Sequence, residues 1–181
     1  MKKTIIGSLV GAIIMFLWQF LSWGPTQLHR PAQDYTPKQD SILSYLNSQF
    51  SEDGSYFLPS YPKDASREAM DKAMNNSVGK PWVIIDYHKT MNMSMPTNMA
   101  RGFLVDFVVL WIFCWILGKT NITSFKNIVA ASLLVGLIGF LNITYTFHIW
   151  YQTRDLNAHF IDTIVSWGLV GAWLGIWLKK K

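Results

Sequence analysis

The chain has 181 residues, half of them hydrophobic, with only 15% charged and a formal net charge of +5. Soluble domains carry about a quarter charged residues, so the composition excludes an entirely soluble protein. The deficit is uneven: four stretches are almost free of charge, while residues 26–100 look like ordinary soluble sequence. The single cysteine, Cys114, lies in an apolar run, which excludes an intrachain disulfide and a thiolate metal cluster.

The net positive charge does not point to nucleic acid, because of where it sits. Lys2 and Lys3 precede the first apolar run, Lys119 and Lys126 flank the link between the second and third, and Lys179, Lys180 and Lys181 end the chain. None of these short segments carries Asp or Glu, whereas the long loop balances eight basic residues against eight acidic ones. Such a distribution is a topology signal.

In chain order, span one runs over 4–23. It is too long for a signal-peptide core and lacks a small-x-small cleavage site after it, so it is expected to remain as an anchor. Gly7 and Gly11 within it form a G-x-x-x-G spacing, which permits close helix packing inside a bundle or a homo-oligomer seam.

Residues 24–101 are expected to form an extracytoplasmic α+β domain. Thr36-Pro37 followed by Gln39 predicts a helix start, and Ile42, Leu43, Leu46 and Phe50 continue it to about residue 50. Asp53-Gly54 predicts a turn, with a short strand over 55–58 and a second helix over 64–76. From Trp82, apolar residues fall on odd positions through Val83, Ile85, Tyr87, Met91, Met93 and Met95, which predicts a strand of about a dozen residues.

Spans two, three and four are predicted over 102–118, 127–147 and 160–178. Each has about 17 to 21 residues, enough to cross ~30 Å of hydrocarbon at about 1.5 Å per residue. Only helices satisfy their backbone polar groups there. Gly171 and Gly175 repeat the G-x-x-x-G spacing in span four. The expected fold is therefore an all-α transmembrane four-helix bundle with a small extracytoplasmic α+β loop domain between helices one and two. Placing every terminal and linking lysine on one side puts both termini in the cytoplasm and residues 24–101 and 148–159 outside. The lysine-headed start and simple topology suggest a bacterial inner membrane.

Two sets of residues carry possible chemistry. Met91, Met93 and Met95, with Met99 and His88 nearby, precede span two. Thioether sulfur suits Cu(I), and the M-x-M-x-M spacing resembles the methionine motifs of extracytoplasmic copper-handling proteins over about a dozen residues. The same alternation equally fits an apolar strand face, with methionines about 6.6 Å apart. The second set is a polar layer. Gln19, Asp106, Asn142 and Asp162 fall at nearly one depth below the outer ends of the four spans, with His148 and His159 above them. Polar and ionisable residues within spans face the bundle interior or a wet cavity, so the layer is either interhelical hydrogen bonding or an outward-facing polar pocket.

No HExxH, histidine box, doubled Glu-x-x-His or recognisable nucleophile setting is present. The sequence favours a non-enzymatic accessory or ligand-binding subunit whose partners are the lipid bilayer and an extracytoplasmic protein. A Cu(I)-handling protein is the alternative, and a membrane redox enzyme the third reading.

Overall fold

The computed structural model describes residues 2–178, so the expectation for Lys179, Lys180 and Lys181 lies outside the described residues. The chain divides into two compact units: residues up to Asp34 together with those from Ser94 onward, and Tyr35–Met93.

The first unit contains four long apolar helices packed together. They are α1 (Lys2–Trp23), α4 (Met95–Lys119), a third rod that begins as α5 (Phe125–Gly139), and α7 (Leu156–Trp177). All four are long and apolar enough to cross a membrane, which makes this a small polytopic membrane protein. The third rod continues from α5 through a π-helical stretch, Phe140–Tyr145, into the short α6 (Thr146–Trp150). Between α1 and α4 lies the second unit, with α2 (Gln39–Gln49), β1 (Gly54–Leu58), α3 (Arg67–Ser77) and β2 (Val83–Tyr87).

Small residues decide how the rods meet. Lipid tails are as apolar as leucine, so burial alone does not bring membrane helices together; close van der Waals contact and hydrogen bonds do. α1 and α7 run antiparallel, with Trp177 donating its indole N–H to the Lys3 carbonyl (2.9 Å) and Trp173 donating to the Gly7 carbonyl (3.0 Å). Gly7 faces Trp177 and Leu174, and Gly11 faces Leu110 of α4. Gly171 lies against Ser132 and Val129 of α5, and Gly175 against Phe125. Ser132 also donates its hydroxyl to the Trp167 carbonyl at 2.7 Å. Both G-x-x-x-G pairs thus face neighbours in the same chain. Ala12, Leu110, Phe113, Ile128, Val170 and Leu174 fill the space between them, while many large apolar side chains, Leu17, Phe20, Leu104, Ile138 and Ile176 among them, stay on the outer surface.

The antiparallel pairings gather Lys2, Lys3, Lys119 and Lys126 at one end of the unit. The C-terminus of α1 and the N-terminus of α7 lie at the other.

In the second unit β1 and β2 form an antiparallel pair, from Gly54 opposite Tyr87 to Leu58 opposite Val83. Tyr87 is buried and donates its hydroxyl to Asn47 Oδ1 at 2.8 Å, which ties the strand to α2. α2 starts at Gln39, three residues after the expected capping position, because the Thr36 hydroxyl instead accepts the Lys38 N–H in a local turn. α3 starts after Ser66, whose hydroxyl accepts the Ala69 N–H and satisfies one of the helix's free donors.

β2 ends at Tyr87, well short of the dozen-residue strand expected from the alternation. The reason is the partner: β1 begins at Gly54, so no backbone remains to pair with Lys89. The Lys89 N–H is taken by Asp53 Oδ1 at 2.9 Å. That bond holds the Asp53 carboxyl below the usual carboxylate range; desolvation opposes it, and His88 and the Lys89 charge help to a lesser extent. Its stabilisation is present above the unfolded-chain pKa and is lost as pH falls through the lower folded value.

A test of the packing follows from the glycines. A Cβ on Gly171 would lie 2.8 Å from the Ser132 Cβ and 3.0 Å from the Val129 Cα, whereas one on Gly139 meets nothing within 4 Å. Gly171→Ala is expected to cost about 1–3 kcal/mol by overpacking. Thermal unfolding in one detergent should show a lower midpoint for Gly171→Ala and no loss for Gly139→Ala.

Candidate functional site

At the end remote from the lysines, α1 stops and the chain doubles back. Thr26 N–H bonds the Leu21 carbonyl, Leu28 N–H bonds the Ser22 carbonyl, and the Thr26 hydroxyl donates to Leu21. These bonds satisfy carbonyls that a helix end leaves without partners. Gln27 takes a positive φ of 50°, uncommon for a residue other than glycine. The turn returns His29 to the end of its own helix, where the imidazole stacks on Trp23 with centroids 3.8 Å apart and planes at 3°.

His29 is 1% exposed, and both of its ring nitrogens meet carboxylates. Nδ1 is 2.8 Å from Asp155 Oδ2 and Nε2 is 2.9 Å from Asp162 Oδ2. Asp162 Oδ1 also accepts the Trp18 indole N–H at 3.0 Å. His159 Nε2 approaches the same Asp155 oxygen at 3.3 Å. The sequence of α7 makes this convergence possible: Asp155, His159 and Asp162 sit at i, i+4 and i+7, one stripe of one helix. Asp155 precedes the first residue of α7, where an anion is favoured by the helix dipole. A neutral imidazole has one N–H, so His29 can donate to both carboxylates at once only in its doubly protonated form.

On the neighbouring side of α1, Gln19 donates its amide N–H to Asp106 Oδ1 of α4 at 3.1 Å. Asp106 is buried, and its Oδ2 has no hydrogen-bond partner. An open cleft of about 310 Å³ adjoins this pair, lined by Gln19, Asn98, Arg101, Gly102, Val105 and Asp106. A buried carboxylate oxygen without a donor is costly, and here it belongs to a residue that lines the cleft.

The sequence-derived polar layer therefore separates into parts. Gln19 meets Asp106, while Asp162 and His159 belong to the cluster around His29. Asn142 is exposed on the π-helical stretch. His148 accepts the Thr153 N–H on Nδ1 at 3.1 Å and joins neither group. The methionines do not share a strand. Met91 and Met93 lie in the irregular segment after β2 and Met95 opens α4, with exposures of 85%, 59% and 61%. Met99 is one turn further along α4, and His88 is on the surface 3.5 Å from Asp53.

His29 is the residue that sequence reasoning passed over. It lies outside every span and outside any periodic pattern, and its partners are 126 and 133 residues away. One available signal was the Gly24-Pro25 turn just before it, which ends α1 and redirects the chain.

No family model matches the chain, and no curated protein or solved structure matches it.

Removing one member of a buried charged group costs about 3–5 kcal/mol, because the remaining charge is left uncompensated. His29→Ala, which leaves Asp155 and Asp162 facing each other, is expected to lower the unfolding free energy by about that amount. The combined His29→Ala, Asp155→Asn, Asp162→Asn variant should recover most of the loss. Equilibrium unfolding in detergent, compared across the three proteins, measures both.

Proposed function

We propose that this membrane protein is a non-enzymatic ligand-binding subunit. Its cleft beside Asp106 receives the polar head of an amphiphile. The observation that carries this reading is Asp106, which lines an open cleft and whose buried Oδ2 has no donor. An ammonium group supplies the missing donor, and the exposed Arg101 at the same cleft supplies a cation for a phosphate. An aminophospholipid headgroup carries both groups, and the surrounding bilayer presents it at high concentration. The lysines gathered at the opposite end support an orientation with that end in the cytoplasm, the cleft towards the outer face, and residues 24–101 and 148–159 outside. In a bacterium this is the inner membrane, where the Tyr35–Met93 unit is available to an extracytoplasmic protein partner.

The test uses native mass spectrometry on protein taken from mixed phosphatidylethanolamine and phosphatidylcholine, since choline lacks N–H donors. A hydrogen bond to a charged group is worth about 1.5–3 kcal/mol, so the parent protein should retain the ethanolamine lipid with roughly tenfold preference or more. Asp106→Asn should lose that preference while keeping its thermal midpoint. No preference in the parent, or an unchanged one in the variant, would sink the proposal. A large fall in midpoint without a lipid effect would make Asp106 interhelical glue.

The exposure of Met91, Met93 and Met95 favours a second reading, in which the segment handles Cu(I). Accessible thioethers can turn together onto one soft ion, whereas buried ones serve as packing. A Cu(I) competition titration should find tight stoichiometric binding that the Met91/Met93/Met95→Leu triple variant lacks. Equal weak binding by both proteins removes this reading.

A further inference from the structure

The His29 cluster is more than an ion pair between helices, and its donor set is that of a metal centre. We propose that His29, Asp155 and His159 bind a divalent transition-metal ion of the zinc class, through His29 Nδ1, Asp155 Oδ2 and His159 Nε2. This site is separate from the cleft at Asp106 and does not depend on that reading.

The placement of the donor atoms and of the groups that support them carries it. The donor atoms of the three residues all lie within 4.8 Å of one another. Asp155 Oδ2 is already 2.8 Å from His29 Nδ1 and 3.3 Å from His159 Nε2. In a tetrahedral zinc site with bonds of about 2.0–2.1 Å, neighbouring ligand atoms are about 3.3 Å apart, so small torsional adjustments close the set. His159 is the one to move, because its side chain is 35% exposed while His29 is locked.

The remaining observations concern what supports the ligands. Imidazole and carboxylate are the ligand types that suit zinc and its neighbours, and no thiolate is needed. A ligating histidine almost always donates its other ring N–H to a carboxylate or carbonyl, which fixes tautomer and ring orientation. His29 has that partner: Nε2 points to Asp162 Oδ2 at 2.9 Å, and Asp162 is held in turn by the Trp18 indole N–H at 3.0 Å. Trp23, stacked flat on the ring, fixes its plane. Without metal, a proton must lie between His29 Nδ1 and Asp155; with metal, the ion takes that place and the bond to Asp162 is kept. Three protein ligands leave a fourth position for water or an exogenous donor on the exposed His159 side.

The experiment is a Zn(II) competition titration on tag-free, full-length protein in detergent, with Co(II) absorption as a direct report of coordination. One ion per chain is expected. His159→Gln and Asp155→Asn should each weaken binding at least 100-fold. Asp162→Asn, which removes only the supporting carboxylate, should weaken it about 10- to 100-fold while leaving the Co(II) band in place. His88→Gln and His148→Gln should bind as the parent does. Circular dichroism and monodisperse elution establish that each variant is folded, and His159→Gln is the decisive one because its side chain sits at the edge of the cluster. Failure of the parent to bind one ion, or binding that survives both His159→Gln and Asp155→Asn, overturns the site and leaves a hydrogen-bonded structural cluster.

Discussion

The constraint on which the rest of the first unit depends is the meeting of two carboxylates, one buried and one half-buried, at one buried imidazole. Asp155 and Asp162 project from the same stripe of α7 toward the end of α1. Packed there without compensation they would repel each other and lose hydration, at a cost of several kcal/mol per ion. His29 resolves this by presenting a nitrogen to each. That single side chain requires the chain to reverse after Trp23, which accounts for the layered hydrogen bonds to the last carbonyls of α1 and for the left-handed backbone at Gln27. The turn, the stacked Trp23 and the Trp18 indole all follow from placing one histidine.

Along the helices a different economy operates. The bundle faces a medium that gives no reward for hiding leucine, so its contacts rely on closeness and on hydrogen bonds. Gly7, Gly11, Gly171 and Gly175 remove side-chain bulk where a neighbour arrives. Trp173 and Trp177 then use the room, packing their rings against α1 while their N–H groups reach helix carbonyls. Ser132 does the same at a smaller scale between α5 and α7. Large apolar residues are left on the outside, where lipid is their solvent.

These two regimes explain what was legible in the sequence. The four membrane helices could be read because hydrophobic length is a local property, and their close approach because small residues recur one turn apart. The hairpin strands were legible in place but not in extent. Alternation continues past Tyr87 through the methionines, yet a strand exists only where a partner offers backbone, and β1 stops at Gly54. In the same way, counting residues inward from the span ends put Gln19, Asp106 and Asp162 at one depth but could not assign them to faces. Adjacent positions on α1, Trp18 and Gln19, point about 100° apart, so Asp162 and Asp106 meet neighbouring faces of one helix. Asn142, at the same nominal depth, lies on a π-helical stretch and is exposed there. His29 was illegible because its polar partners, Asp155 and Asp162, come from a distant segment.

The placement of Trp18 beside Gln19 has a mechanical consequence. One turn of α1 carries both the indole that braces the His29 cluster and the amide that braces Asp106. Helix backbone is stiff on this length scale, so a rotation or displacement of the α1 terminus cannot alter one contact without the other. The His29 cluster and the Gln19 wall of the cleft are thus both anchored on the same turn of α1. Coupling of this kind needs no extended pathway of side chains, only one rigid element biased from two faces. Were two ligands to be coupled through this turn, linkage would make the coupling the same in both directions.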